Sequence, residues 1–175
     1  MKETWKPKKL GQIIKLEYGK PLPELKRKTN GKYPVYGANG EKDRTDEYYH
    51  DKKSIIVGRK GSAGELNFTE EKFWPLDVTY FVKFNEEDYD LVFLFHLLKQ
   101  LELPKLAKGV KPGINRNDVY ELDVTVPNLA EQKQIVKKLN KALSALSNVK
   151  AITENKLLKI EELEKAILYN ALTRI

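Results

Sequence analysis

The sequence predicts an α+β protein, in which a β-rich domain over residues 1–127 precedes a long, coiled-coil-forming C-terminal helix over residues 128–175. Up to residue 127, short runs of β-branched and aromatic residues alternate with Gly, Pro and Asn, which is typical of short strands joined by turns. After Asn128 the chain contains no Gly or Pro and is rich in Ala, Glu, Lys and Leu, so one continuous helix is expected.

Five segments of the first domain have the composition of strands, namely residues 12–18, 33–36, 54–57, 78–84 and 122–126. Between residues 86 and 103, leucines and Phe93 recur at intervals of three and four. This spacing predicts one amphipathic helix packed on the strands. Asp88 or Asp90 is the expected N-cap, and Pro104 follows the end of the helix.

The C-terminal helix would be about 65 Å long, too long to bury its apolar side chains on the preceding domain. These side chains form a heptad seam with Ala142, and Thr153 and Lys156 interrupt the seam, which indicates a kink or a change of partner near residues 152–157. A coiled coil is favoured over a helix packed on its own domain. The predicted dimerisation residues are Leu139, Leu146, Val149, Ile160, Leu163 and Ile167.

Composition excludes several classes of site. The 175 residues include no cysteine and two distant histidines, His50 and His96, so neither a disulfide framework nor a thiolate or His-rich metal site is expected. No run approaches the roughly 18 apolar residues that a membrane span needs. We therefore expect a soluble, cytoplasmic protein with no membrane partner and no metal site.

The formal net charge of +7 is unevenly distributed along the chain. Residues 1–60 carry 16 Lys or Arg and 8 Asp or Glu, whereas residues 61–128 carry 7 and 12. Residues 129–175 carry 9 and 5. An anionic partner is thus expected to face the first third of the chain and the C-terminal helix.

Three loops combine basic side chains with turn residues: residues 31–40, 57–64 and 108–116. Arg and Lys beside exposed backbone N–H groups can hold DNA phosphates, and Asn and Arg can contact base edges. Turns with solvated charges are the alternative. The predicted DNA-binding residues are Lys26, Arg27, Lys28, Tyr36, Asn39, Arg44, Arg59, Lys60, Lys111, Asn115 and Arg116.

Other chemistries fit the sequence less well. Gly58, Gly61 and Gly64 lack the spacing of a nucleotide-phosphate loop. The acidic residues from Asp43 to Asp51, together with Lys53, are of the types that a metal-dependent nuclease needs. So polar a run is more typical of a solvated loop, however, than of a metal site. No Ser/His/Asp arrangement or Pro-Pro-aromatic methyltransferase motif is present, so no catalytic residue is expected.

Short motifs along the whole chain match a known family in order and spacing. They are Trp5, Leu10-Gly11, Gly19 and Pro21; Tyr33-Pro34-Val35-Tyr36-Gly37; Val57-Gly58-Arg59-Lys60-Gly61; Phe73-Trp74, Asp77 and Tyr80-Phe81; residues 94–101; residues 109–115; residues 126–132 with Ile135; and residues 157–172. Through them the sequence resembles the specificity subunit of type I restriction–modification enzymes, as one half of the usual two-half subunit.

The resemblance implies a target recognition domain over residues 1–127 and a spacer and dimerisation helix over residues 128–175, with no catalysis and no cofactor of its own. Modification subunits are expected to supply S-adenosylmethionine and methylate adenine N6 on double-stranded DNA. A restriction and translocase subunit is expected to use ATP and Mg²⁺. With one recognition domain, a homodimer through the helix would recognise a palindromic bipartite site, since identical modules face inverted half-sites.

Two alternatives stay open on the sequence alone. A non-catalytic adaptor or interference protein could use the same scaffold to bind modification subunits without specific DNA recognition. The second alternative is a small nuclease that uses the acidic residues between Asp43 and Asp51 with Lys53, and such a nuclease would cleave DNA by itself with a metal ion.

Overall fold

A computed structural model describes Trp5 and residues 7–173; residues 1–4, 6, 174 and 175, which fall within the two predicted domain ranges, lie outside the described residues. The chain divides into two compact units, residues 1–133 and 134–175. The long helix begins at Leu129, near the predicted change of character. Its first turn is capped by Asn128, whose side-chain oxygen accepts a hydrogen bond from Glu131 N at 3.0 Å.

The described residues form nine strands and three α-helices. The strands are β1 (Pro7–Lys9), β2 (Ile14–Tyr18), β3 (Tyr33–Gly37), β4 (Gly40–Thr45), β5 (Ser54–Gly58), β6 (Leu66–Thr69), β7 (Trp74–Pro75), β8 (Thr79–Phe84) and β9 (Asp123–Thr125). The helices are α1 (Leu91–Gln100), α2 (Arg116–Tyr120) and α3 (Leu129–Leu172). Each of the five predicted strand segments contains a strand. The unpredicted strands β1, β4, β6 and β7 are short or polar, so they lack a hydrophobic pattern.

Two sheets form the centre of the β-rich domain. The larger sheet has the strand order β2-β8-β5-β6, and the smaller sheet has the order β4-β3-β7. Along β5, Ile55 and Val57 belong to the same core cluster as Leu94 of α1, whereas Ile56 packs with Tyr36 of β3. Because side chains alternate between the two faces of a strand, the larger sheet is covered by α1 on one face and by β3 on the other.

Helix α1 is shorter than the predicted range 86–103. Asp90 is its N-cap and accepts a hydrogen bond from Phe93 N at 2.9 Å. Asp88 instead belongs to the preceding turn, where its carboxylate accepts a hydrogen bond from Asn85 Nδ2 at 2.7 Å. The chain leaves the helix near Glu102, which adopts a left-handed backbone conformation with φ 49°. Local side-chain hydrogen bonds therefore determine where this helix begins, and it begins later than the apolar spacing from residue 86 predicts.

Helix α3 comprises 44 residues, which corresponds to about 65 Å of helix at 1.5 Å per residue. In its first turns, Gln132 is fully buried. The side chain of Gln132 accepts a hydrogen bond from Asp90 N at 2.9 Å and donates to the carbonyl oxygens of Asp88 at 3.0 Å and Pro127 at 2.8 Å. Every residue from Asn140 to Thr173 is exposed. Across the described residues, no helix has the length and apolar character needed to cross a membrane.

Candidate nucleic-acid interface

Three loops of the β-rich domain lie side by side, and we refer to them as the loop cluster: residues 37–40, 58–64 and 108–116. Backbone hydrogen bonds join the second and third loops, since Gly61 N donates to Pro112 O at 2.9 Å and Ile114 N donates to Arg59 O at 3.0 Å. The backbone hydrogen bonds therefore hold the basic residues of these two loops next to each other on one surface of the domain.

The first loop of the cluster lies against the second at Gly58. A Cβ atom at this position would overlap the carbonyl oxygen of Ser62 and would lie 2.7 Å from the carbonyl oxygen of Ala38. Only glycine allows this close approach. Asn39, at the tip of the β3–β4 turn, is exposed and lines one shallow concavity together with Gly61 and Pro112. The predicted residue Asn39 thus reaches the same surface as the second and third loops.

Arg59 is fixed to the backbone of a neighbouring segment. Its Nε and Nη2 atoms both donate hydrogen bonds to the carbonyl oxygen of Asp77, at 3.0 and 2.8 Å. Its guanidinium carbon lies 5.4 Å from the centroid of the Tyr18 ring, which is within the range of a cation–π interaction. The side chain therefore has a defined position before any ligand binds.

Tyr18 joins the two arginines of the loop cluster. The guanidinium carbon of Arg116 lies 5.0 Å from the same Tyr18 ring centroid. Tyr18 is 45% exposed and packs against buried Tyr80, with the two ring centroids 5.0 Å apart. Burial, together with the neighbouring Tyr18 side chain, raises the pKa of Tyr80 to about 12, so its hydroxyl stays protonated and donates to Ile114 O at 3.3 Å.

The sequence did not single out Tyr18. It occupies the last position of β2, where an aromatic residue is common for packing reasons alone. Its contact with Arg59 and Arg116 joins positions 41 and 98 residues further along the chain. An exposed tyrosine at a strand end is the one signal that the sequence offers, and by itself it is weak.

Asn115 acts as the N-cap of α2. Its side-chain oxygen accepts a hydrogen bond from Asn117 N at 2.9 Å, so this oxygen is occupied within the protein. Lys60 and Lys111 are both exposed. In the part of the chain that the structure describes, neither lysine lies within ion-pair distance of a carboxylate. The two lysines therefore offer charge that no internal partner neutralises.

Four predicted residues lie outside the loop cluster, and we refer to them as the paired basic group: Lys26, Arg27, Lys28 and Arg44. Lys26 Nζ lies 2.7 Å from Glu47 Oε1. Lys28 forms an ion pair with Asp46. The hydrogen bond from Lys28, followed by one from the backbone N–H of Lys32, lowers the pKa of Asp46 below its ordinary value. These lysines already have anionic partners.

The two arginines of the paired basic group bind backbone carbonyl oxygens. Arg27 donates to Leu22 O at 3.0 and 2.8 Å. Arg44 donates to Gly31 O at 2.8 Å and to Lys32 O at 3.0 Å. Arg44 Nη1 also donates to Glu41 Oε1 at 2.8 Å. Both side chains thus stabilise the segments around the β3–β4 hairpin.

Tyr36 belongs to the core. Its side chain is 8% exposed and packs in a cluster with Ile56, Phe73 and Phe81, with its ring centroid 5.8 Å from that of Phe73. Burial raises the pKa of the Tyr36 hydroxyl. The structure therefore gives Tyr36 a packing role and does not present its ring on the surface of the loop cluster.

The acidic run considered for a nuclease is divided among separate ion pairs. Asp43 lies 3.7 Å from Arg27 Nη1, and Lys53 lies 3.5 Å from Glu86 outside the run. Among the described residues, no group of three His, Asp or Glu side chains is placed to hold a metal ion. Asp43, Asp46 and Glu47 of this run each pair with a cation of the preceding segment.

The predicted dimerisation residues lie on α3. Leu146, Val149, Ile160, Leu163 and Ile167 are each between 53% and 64% exposed. Leu139 is partly buried. Leu143 and Leu157 add exposed apolar surface beside this seam. A helix with such an exposed apolar stripe, interrupted only at Thr153 and Lys156, is typical of coiled coils and interaction surfaces.

The sequence of this chain is similar to one known protein family and to individual proteins of known type. The family model for the type I restriction modification DNA specificity domain matches residues 2–162. A type I restriction enzyme specificity subunit from Haemophilus influenzae is 29% identical over 149 residues, which cover 82% of this chain and 38% of that protein. The Escherichia coli EcoDI specificity subunit is 26% identical over 154 residues, covering 86% of this chain and 34% of that protein.

A solved structure shares the fold. The crystal structure of the type I restriction–modification S subunit from M. genitalium matches with a TM-score of 0.73 at 24% identity, over 83% of this chain and 40% of that chain. This chain therefore spans about two fifths of the length of the relatives it matches. The predicted α+β architecture, with a β-rich domain and a long C-terminal helix, is confirmed.

Proposed function

This chain belongs to the family of type I restriction modification DNA specificity domains, and from that premise we propose that it recognises one half of a bipartite double-stranded DNA site through the loop cluster. The observation that carries the proposal is the set of four cations Arg59, Lys60, Lys111 and Arg116. None of them has a carboxylate partner in the described residues. Such cations are available to replace the counterions of DNA phosphates.

The residues at the β3–β4 turn support base recognition beside this phosphate contact. Asn39 is exposed at the tip of the turn, and its side-chain amide has the donor and acceptor pair that matches the major-groove edge of adenine. Lys26, Arg27, Lys28 and Arg44 stay candidates for outer phosphate contacts, in competition with their internal partners. Tyr36 would support this surface from the core, and Asn115 would do so as the cap of α2.

We propose further that two copies pair through α3. An exposed apolar seam about 40 Å long, between Leu139 and Ile167, is costly in water. Pairing with a second copy would bury it and place two identical recognition domains in a two-fold relation. A palindromic bipartite site follows from that symmetry. In this assignment residues 1–127 are the target recognition domain and residues 128–175 the spacer and dimerisation helix.

The chemistry of the system would come from partner subunits. We propose that modification subunits carrying S-adenosylmethionine methylate adenine, and that a restriction and translocase subunit uses ATP and Mg²⁺. The role of this chain is then to position those subunits on DNA without a catalytic residue or cofactor of its own. Cytoplasmic localisation belongs to this proposal, since its substrate is DNA.

The test is selection of bound duplexes from a random-sequence library by this chain assembled with type I modification subunits. We expect an enriched sequence of two inverted half-sites separated by a spacer of fixed length. An assembled complex that enriches no sequence would support the adaptor alternative. Metal-dependent cleavage by the isolated chain, abolished by Asp43→Ala or Asp51→Ala, would support the nuclease alternative.

Pairing through α3 is tested by light scattering. Leu146→Glu with Leu163→Glu is expected to convert a dimer to a monomer, because two carboxylates would be buried in the seam of each helix. The matched control is Ser144→Glu with Ala151→Glu, which adds the same charge at the heptad position opposite the seam and leaves a dimer. An unchanged mass in the seam variant would contradict the coiled coil.

A further inference from the structure

We propose that Arg59 is a specificity-determining residue that recognises a guanine in the half-site, and that Tyr18 is its positioning residue. This inference rests on the proposed function and refines it. The proposal rests on two contacts of Arg59. One edge of its guanidinium is fixed to the carbonyl oxygen of Asp77, and its guanidinium carbon lies 5.4 Å from the centroid of the exposed Tyr18 ring.

The hydrogen bonds of Arg59 leave one complete donor edge. A guanidinium has five N–H donors in a fixed fork. The contacts to Asp77 O use the Nε–H and one N–H of Nη2. Both N–H groups of Nη1 and the second N–H of Nη2 remain, and no described residue accepts from them. The remaining Nη1 and Nη2 donors form the end of the fork, with a bidentate geometry.

Guanine is the base that matches this edge. In the major groove guanine presents two adjacent acceptors, O6 and N7, whereas every other base pairs an acceptor with a donor or a methyl group or presents a donor alone. A side chain already held on two sides loses little rotamer freedom when it binds. The fixed position of Arg59 therefore favours recognition of one base over an adjustable phosphate contact.

Arg116 provides the contrast within the same cluster. Its guanidinium carbon lies 5.0 Å from the Tyr18 ring centroid. Among the described residues it has no hydrogen bond or ion pair that would fix the direction of its fork. A cation held over a ring but free to turn is suited to a phosphate, which accepts hydrogen bonds from many directions. We assign Arg116 to the DNA backbone.

The first test compares sequence preferences selected by the assembled complex. Wild type is expected to enrich a guanine at one position of each half-site. Arg59→Ala is expected to lose that preference alone, by a factor of about 5 to 150, the range for a bidentate base contact. Arg116→Ala is expected to weaken binding equally on all sequences and to reduce the salt slope by about 1. Uniform weakening by Arg59→Ala would overturn the assignment.

The second test uses base analogues with the unmodified protein, so it does not depend on how a variant folds. Replacing the selected guanine with 7-deazaguanine removes the N7 acceptor, and a loss of affinity of about tenfold is expected. Inosine is the matched control, because it keeps O6 and N7 and lacks only the minor-groove amino group. Equal binding to guanine and 7-deazaguanine would overturn recognition through this edge.

The positioning role of Tyr18 is tested by a pair of variants. Tyr18→Ala is expected to weaken the preference at the same guanine, whereas Tyr18→Phe keeps the ring and is expected to keep the preference. Relaxation at several positions by Tyr18→Ala would indicate a general structural role and overturn this part. Failure of the wild-type complex to select any sequence would refute the proposed function itself, whereas a selected site without an Arg59-dependent guanine refutes only this inference.

Discussion

The paired basic group and the loop cluster each contribute four predicted cations, yet their surroundings differ. Lys26, Lys28 and Arg44 face Glu47, Asp46 and Glu41 within the fold. The predicted cations of the loop cluster, Arg59, Lys60, Lys111 and Arg116, instead contact a tyrosine ring, a backbone oxygen or solvent. Lys108, which was not predicted, is the exception in the cluster because it pairs with Asp118 at 2.8 Å. Net charge along a sequence thus differs from charge that is available to a ligand, because antiparallel pairing brings carboxylates onto neighbouring lysines.

Because the two groups of cations have different partners, we expect substitutions in one group to affect mainly stability and substitutions in the other to affect mainly DNA binding. A cation that is already paired with a carboxylate inside the protein must give up that partner before it can neutralise a DNA phosphate, and the exchange gains little free energy. An unpaired exposed cation has no partner to lose and releases counterions when it binds. Substitutions in the paired basic group should therefore lower the free energy of unfolding, and those in the loop cluster should lower DNA affinity.

Arg44→Leu is expected to have the largest effect on stability. It removes charge-assisted hydrogen bonds to Gly31 O and Lys32 O and leaves both oxygens without this donor. The expected loss is about 2 kcal/mol in the free energy of unfolding. Denaturant titration measures it. Lys60→Leu is the control within the loop cluster and should change stability by less than about 0.5 kcal/mol. Equal losses of unfolding free energy in Arg44→Leu and Lys60→Leu would contradict the different roles assigned to the two groups of cations.

The salt dependence of DNA binding should also differ between the two groups of cations. Lys60→Ala with Lys111→Ala is expected to reduce the slope of log affinity against log salt by about 1.8, since each phosphate contact contributes about 0.9. Lys26→Ala with Lys28→Ala removes the same charge from the paired basic group and should change the slope by less than half as much. Fluorescence anisotropy over a range of salt concentrations provides the measurement. A larger change in the second pair would reverse the assignment of the DNA-facing surface.

The sequence predicted elements whose pattern is local. The helix α1, the five strands and the three loops all carry short-range signals, and Asp90 and Asn115 precede their helices as capping residues do. Asp90 was one of the two caps expected, whereas Asn115 was expected as a DNA contact. Its position before an acidic first turn at Asp118 is the cue that indicates a cap.

The remaining features depend on pairing between distant segments. Lys28 and Asp46 are 18 residues apart and meet beside the antiparallel bridge that joins Lys28 to Arg44. Tyr36 lies on a strand that is buried on both faces, so β3 shows no alternation that would separate core from surface. The contact between Tyr18 and Arg116 spans 98 residues. None of these contacts leaves a periodic trace in the sequence.

Asp46→Asn is expected to have the smallest effect, and it tests directly whether pairing with Asp46 keeps Lys28 from binding DNA. The substitution keeps the shape of the side chain but removes the negative charge that pairs with Lys28. If pairing is what withholds Lys28 from a ligand, the variant should bind DNA about 2- to 5-fold more tightly at low salt, a small gain because an exposed ion pair is weak. Glu87→Gln removes an equal charge elsewhere, from an exposed carboxylate that forms no ion pair among the described residues, so it releases no lysine. A gain of the same size in that control would mean that net charge alone, and not the release of Lys28, accounts for the tighter binding.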